Sequence, residues 1–164
     1  MPYKLSDAVR KAVEEINLAI AEEFAAQGHT LTGAAERSLA FNISDKTNRI
    51  TAEGLAVAYM KKLNDGIPPE DVKVDSKYLD ELTKYVNLRM GIYGRKAVQV
   101  AYRIALKHKR EGVPTADSSR FSKTGERTHF INKASNDTKV DKVMSSGIDT
   151  YMDQFFSQQK SEKI

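Results

Sequence analysis

The chain is expected to fold as an α+β domain in which helix dominates. Three observations carry this. Apolar residues recur at helical spacing in four separate stretches, one short stretch alternates with period two, and Gly28, Gly91 and the Gly112–Pro114 pair stand between the periodic segments. In order, the pattern gives a long N-terminal helix, a small antiparallel β-hairpin, two middle helices, an irregular basic arm and a C-terminal helix. Residues 1–156 read as one domain, with 112–134 as an extended arm and 157–164 as a frayed polar tail.

The first helix is capped by Ser6 or Asp7, presents Val9, Val13, Ile16, Ile20 and Phe24 on one side, and stops at Gly28. Glycines 28 and 33 bracket a turn. Leu39, Phe41 and Ile43 then alternate over a strand from Ser38 to Ser44, Asp45 to Asn48 supply turn chemistry, and Arg49 to Glu53 return as the second strand. Gly54 to Leu63 suits either strand or helix, and Asn64 to Asp71, with its paired prolines, reads as a loop. A second helix starts with Ser76 as cap, turns Leu79, Leu82, Val86 and Met90 inward, and ends near Gly91. A third covers Arg95 to Glu111, with Ala97, Val100, Ile104 and His108 on one face and Val98, Ala101 and Ala105 flanking it. Val113 to Ala134 has no period. Asn136 or Asp137 then caps a last helix that turns Val140, Met144, Ile148, Tyr151 and Phe155 inward.

Composition narrows the function. With 164 residues, 40% apolar and 29% charged, the chain is globular in kind. Its mean hydropathy of -0.52 suits long solvent-facing helices or a surface closed by neighbours. The absence of cysteine excludes disulfides, thiolate metal sites and cysteine nucleophiles. No signal-peptide run and no stretch of membrane-spanning length occurs, which predicts a soluble protein made in the cytoplasm with no membrane partner. Charge is unevenly placed. Residues 84–133 hold twelve lysines and arginines against three acids, a surplus of nine in a chain whose total is +4, so the remainder is acidic by five. Such asymmetry points to an anionic partner, either nucleic acid or an acidic protein surface, or to a solvated basic face.

No catalytic constellation emerges. His29, His108 and His129 lack a partner ligand at i, i+4, the Glu14/Glu15 and Glu22/Glu23 pairs lie off the apolar stripe, and Glu70/Asp71 falls short of a calcium loop. Gly91-Ile-Tyr-Gly94 is too short for a phosphate loop and separates two helices instead. The expectation is a non-enzyme without cofactor or metal. The remote alternative uses His129 with Glu126 or Asp117.

The arm from Ser118 to Phe130 combines cations, hydroxyls and two phenylalanines. That mixture suits gripping a phosphate backbone, docking on a neighbouring subunit, or a plain surface loop. The intersubunit arm is the favoured reading. The expected contact residues are Arg95, Arg103, Lys107, Arg110, Arg120, Phe121, Lys123, Arg127 and Phe130.

Three short motifs add a resemblance. Thr32-Gly-Ala-Ala-Glu-Arg-Ser-Leu39 looks like a motif that enters a sheet, Tyr59 to Gly66 like a Tyr-rich strand ending in glycine, and Phe130-Ile-Asn-Lys-Ala134 like the opening of a closing helix. In this order, after a long first helix, they resemble the tail-completion and head–tail neck family of tailed bacteriophages. Leu31 stands where arginine is usual, Ala35 where leucine is usual, and the two helices between Ser76 and Glu111 are an insertion. The resemblance implies a small sheet packed on helices, a homo-oligomeric ring around the DNA passage, portal, adaptor or tail proteins as partners, and a place in the virion. The alternative is a small DNA-binding module using 84–133, discriminated by its salt dependence.

Overall fold

The computed structural model describes residues 4–47 and 49–161; Asn48 of the expected turn, the first three residues and the last three of the expected frayed tail lie outside them. The helix-dominated α+β architecture is as expected: helices α1 (Leu5–Ala26), α2 (Ala34–Arg37), α3 (Ala58–Asp65), α4 (Ser76–Met90), α5 (Gly94–Glu111), α6 (Phe130–Ser135) and α7 (Thr138–Ser161) accompany an antiparallel ribbon of β1 (Ala40–Lys46) and β2 (Arg49–Leu55), which is largely exposed and packs mainly against α1.

Helix α1 begins before its expected cap. Leu5 is already helical, and Asp7 reaches back so that its carboxylate accepts the Lys4 N–H at 3.0 Å. Its most buried row is Ala8, Ala12, Ile20 and Phe24, while Val9, Val13 and Ile16 are half-buried. The shift toward alanine follows from α7, which packs along α1 with Gly147 buried. Small residues on facing rows let two helix axes approach closely. Helix α7 runs through Ser161, so the segment from Ser157 expected to fray is helical as far as it is described.

The ribbon pairs Ala40 with Leu55 through Lys46 with Arg49, longer than the sequence suggested. The ambiguous stretch 54–63 divides: β2 ends at Leu55, and α3 starts at Ala58 and continues to Asp65, into the expected loop. Residues 59–66, matched to a strand in the family resemblance, are therefore almost wholly helical. Pro69–Asp71 forms one 3₁₀ turn.

Two small cores result. One gathers Ile20, Phe24, Ala35, Met60, Phe130 and Ala134. Phe24 and Phe130 meet edge to face there, with centroids 5.1 Å apart. The other lies inside the α4–α5 hairpin, between Val86, Ala97 and Ala101. Asp75, rather than Ser76, caps α4, its carboxylate accepting the Tyr78 N–H at 2.8 Å. Gly91 closes that helix at φ 65°. Met90, expected inward, is exposed. So is Val98, because Ala97, Ala101 and Ala105 form the buried row of α5. The hairpin is tied to the rest of the molecule by a backbone bridge between Ile67 and Val113, with N–O distances of 2.7 and 2.8 Å, and by Lys109 Nζ donating to the Val72 carbonyl at 3.0 Å.

Candidate functional site

The segment expected to be an extended arm is instead folded onto the end of α1. Ala116–Phe121 coils into 3₁₀ helix. The Lys123 N–H then donates to the Ala26 carbonyl at 2.8 Å, and buried Gln27 donates through Nε2 to the Thr128 carbonyl at 3.0 Å. These bonds satisfy carbonyls that neither a helix end nor an irregular segment can satisfy internally. Gly28 makes the approach possible. It holds φ +75°, and a Cβ there would sit 2.3 Å from the Phe121 carbonyl oxygen.

His29 sits under the arm, its Nε2–H donating to the Arg127 carbonyl at 3.0 Å and its ring 5.0 Å from Phe24 and 5.7 Å from Phe130. Burial pushes its pKa from 6.5 down to about 4, and the Arg127 guanidinium adds to the shift. The other end of the arm is held by Asn64. Its Oδ1 accepts the Ile131 N–H at 2.8 Å, its Nδ2 donates to Asn132 Oδ1 at 3.2 Å, and its carbonyl accepts the His129 N–H at 2.8 Å. Gln27, His29 and Asn64 were not legible as clamps, since polar residues at turns look solvated until a distant segment lands on them.

The nine expected contact residues do not form one surface. Phe130 is 0% exposed and belongs to the core, so it cannot anchor a neighbour, whereas Phe121 is 57% exposed with Arg120 stacked 4.8 Å over its ring. Lys107 pairs with Asp117 and Glu111, and Arg110 with Glu111 at 2.8 Å. Lys107 holds the Asp117 carboxyl below the usual carboxylate range. Lys133, also in the basic segment, pairs with Glu126 at 2.6 Å and Glu23 at 3.4 Å. Arg127 is half-buried, its Nε without an acceptor. Lys123 is exposed, while its backbone holds the arm in place. Arg95 and Arg103 are exposed, with no ion pair among the described residues. No hydrogen bond or ion pair joins the His129 side chain to Glu126 or Asp117 among the described residues; those carboxylates pair with Lys133 and Lys107.

Beside Arg95 and Arg103, α5 carries a second apolar row that faces solvent. Val98, Tyr102 and Leu106, spaced i, i+4, i+8, are 52%, 49% and 49% exposed. The spacing was readable in the sequence but was masked by the competing alanine row. On the opposite charge half, α1 exposes Glu14, Leu18 and Glu22 at the same spacing. An open groove of about 770 Å³ lies between the ribbon tip, the start of α1 and the end of α7. Its lining includes Leu5, Val9, Ile50, Met144, Ile148 and Phe155, with Lys4, Lys46 and Arg49 also present.

The total surface is large. The chain exposes 11387 Å² for 18.3 kDa, whereas a compact monomer of that mass exposes roughly 8,100 Å². Among the described residues no cluster of His, Asp or Glu is arranged to hold a metal ion, and no helix is long and apolar enough to cross a membrane. No family model, curated protein or solved structure matches the chain.

Proposed function

We propose that this chain is a structural subunit of a larger protein assembly. In its most specific form it is a neck or tail-completion protein of a tailed bacteriophage virion, joining portal or adaptor to tail as a ring around the DNA passage. The observation that carries the assembly reading is the surplus of surface, roughly 3,200 Å² beyond a compact monomer of equal mass. Standard interfaces cover about 800 Å² on each partner, so the surplus matches several such patches. Exposed Val98, Tyr102, Leu106, Met152 and Phe156 supply the apolar content those patches need. The phage-neck form rests on the resemblance of Thr32–Leu39, which leads through α2 into β1, and of Phe130–Ala134, which opens α6 ahead of α7.

The runner-up, a DNA-binding module, draws on the unpaired Arg95 and Arg103. It is weakened because Lys107, Arg110 and Lys133 are each engaged by a carboxylate within the fold. Molar mass by light scattering, at low and high salt and with or without duplex DNA, separates the two. A discrete salt-resistant oligomer, or one that forms when portal or tail components are added, supports the assembly subunit. A monomer that binds duplex DNA only at low salt and ignores those components overturns it.

A further inference from the structure

We propose that the outer face of α5 docks on the outer face of α1 in a second copy of this chain. This deepens the assembly reading and rests on it. Val98, Tyr102 and Leu106 form an apolar line about 12 Å long at 1.5 Å per residue, and Arg95 and Arg103 accompany it without ion pairs among the described residues. The face of α1 is its counterpart in spacing and charge. Glu14, Leu18 and Glu22 span the same three positions, with Leu18 53% exposed at the centre, Glu15 beside it, and Asp137 and Lys139 bordering the same shallow crevice as Leu18 and Glu22. Glu14 and Glu22 likewise have no ion pair among the described residues.

Both faces are exposed in one molecule, so the partner of each comes from outside. Leu18 set against Tyr102 brings each glutamate within reach of an arginine on the facing helix. Leu18 and Tyr102 meet at the centre of the contact, and the charged side chains stand at its two ends. A phosphate backbone or an anionic membrane would meet the two arginines but would not explain an acidic helix face of matching spacing on the same chain. Because the two faces differ, the contact is head to tail: each copy offers one α5 face and one α1 face, and the chain of contacts closes into a ring or runs on as a filament.

Full-length Tyr102→Asp and Leu18→Asp test this, each alone and mixed, by light scattering with circular dichroism as the control for folding. Each variant alone is expected to be monomeric, since one of its two faces is blocked. The equimolar mixture is expected to form a one-to-one heterodimer, through the intact α1 face of Tyr102→Asp and the intact α5 face of Leu18→Asp. Heterodimer formation also demonstrates that both variants are folded. Wild-type assembly retained by both variants, or a mixture that stays monomeric while both are folded, overturns this interface and leaves the assembly reading standing. A wild-type chain that is monomeric across the whole concentration range, ignores portal and tail components, and binds duplex DNA or phosphatidylserine vesicles through Tyr102 overturns both.

Discussion

Asn64 shows how much one side chain can hold when it is removed from water. At 5% exposure it joins α3 to the start of α6 through both ends of its amide and its own carbonyl. Removing the amide leaves the Ile131 N–H without its acceptor, so Asn64→Ala is expected to lower unfolding free energy by about 2 kcal/mol, measured by urea denaturation. His29 makes a different prediction. Its folded pKa, about 4, lies below the ordinary 6.5, so between these values the unfolded chain binds a proton that the folded chain refuses. Stability is therefore full above pH 6.5 and falls as the pH drops toward 4. His108, also held down mainly by burial, acts in the same direction. In His29→Gln, whose amide can still donate to the Arg127 carbonyl, the melting temperature should depend less steeply on pH across that window. An unchanged slope would assign the acid sensitivity to other groups.

At the level of elements, the two phenylalanines of the former arm part company. Phe130 opens α6 inside the main core and Phe121 ends a 3₁₀ turn in solvent. Phe130→Ala should cost about 3–5 kcal/mol, while Phe121→Ala should change stability by less than about 0.5 kcal/mol; parallel thermal melts compare them. No pattern in the sequence separates these residues, because both lie in an aperiodic stretch rich in serine, threonine and cations. The regular elements were more legible. The hairpin, α4, α5 and α7 stand close to where periodicity places them, and Gly28 and Gly91 end their helices as expected. What periodicity misjudged was the phase of α1 and α5, where the buried rows are alanines. Large apolar residues dominate any reading of period, yet close helix packing selects small ones. Helices α2, α3 and α6 are short, and tertiary contacts decide whether segments of that length coil.

For the whole molecule, the separation of charge and the surplus of surface belong together. The basic surplus of residues 84–133, net of Glu111, Asp117 and Glu126, was legible, but the pairing of Lys107 with Asp117 and of Lys133 with Glu126 was not, because those two contacts depend on how the arm folds back. Association that stabilises only the folded chain raises its melting point with concentration. The melting temperature is therefore expected to climb over a hundredfold range of protein concentration and to remain concentration-dependent in high salt, read by scanning calorimetry. A constant value would remove the thermodynamic basis for self-association of the chain on its own.

The pairing of α1 with α7 sets an order of events during synthesis. Helix α1 leaves the ribosome with its apolar side bare, and α7, which packs along it, is translated only after residues 27–137. At ordinary elongation rates the nascent chain waits roughly ten seconds between the two. Through that interval the face of α1 that α7 covers is unpartnered, so the unfinished polypeptide is most open to chaperones and to misassociation until α7 has emerged.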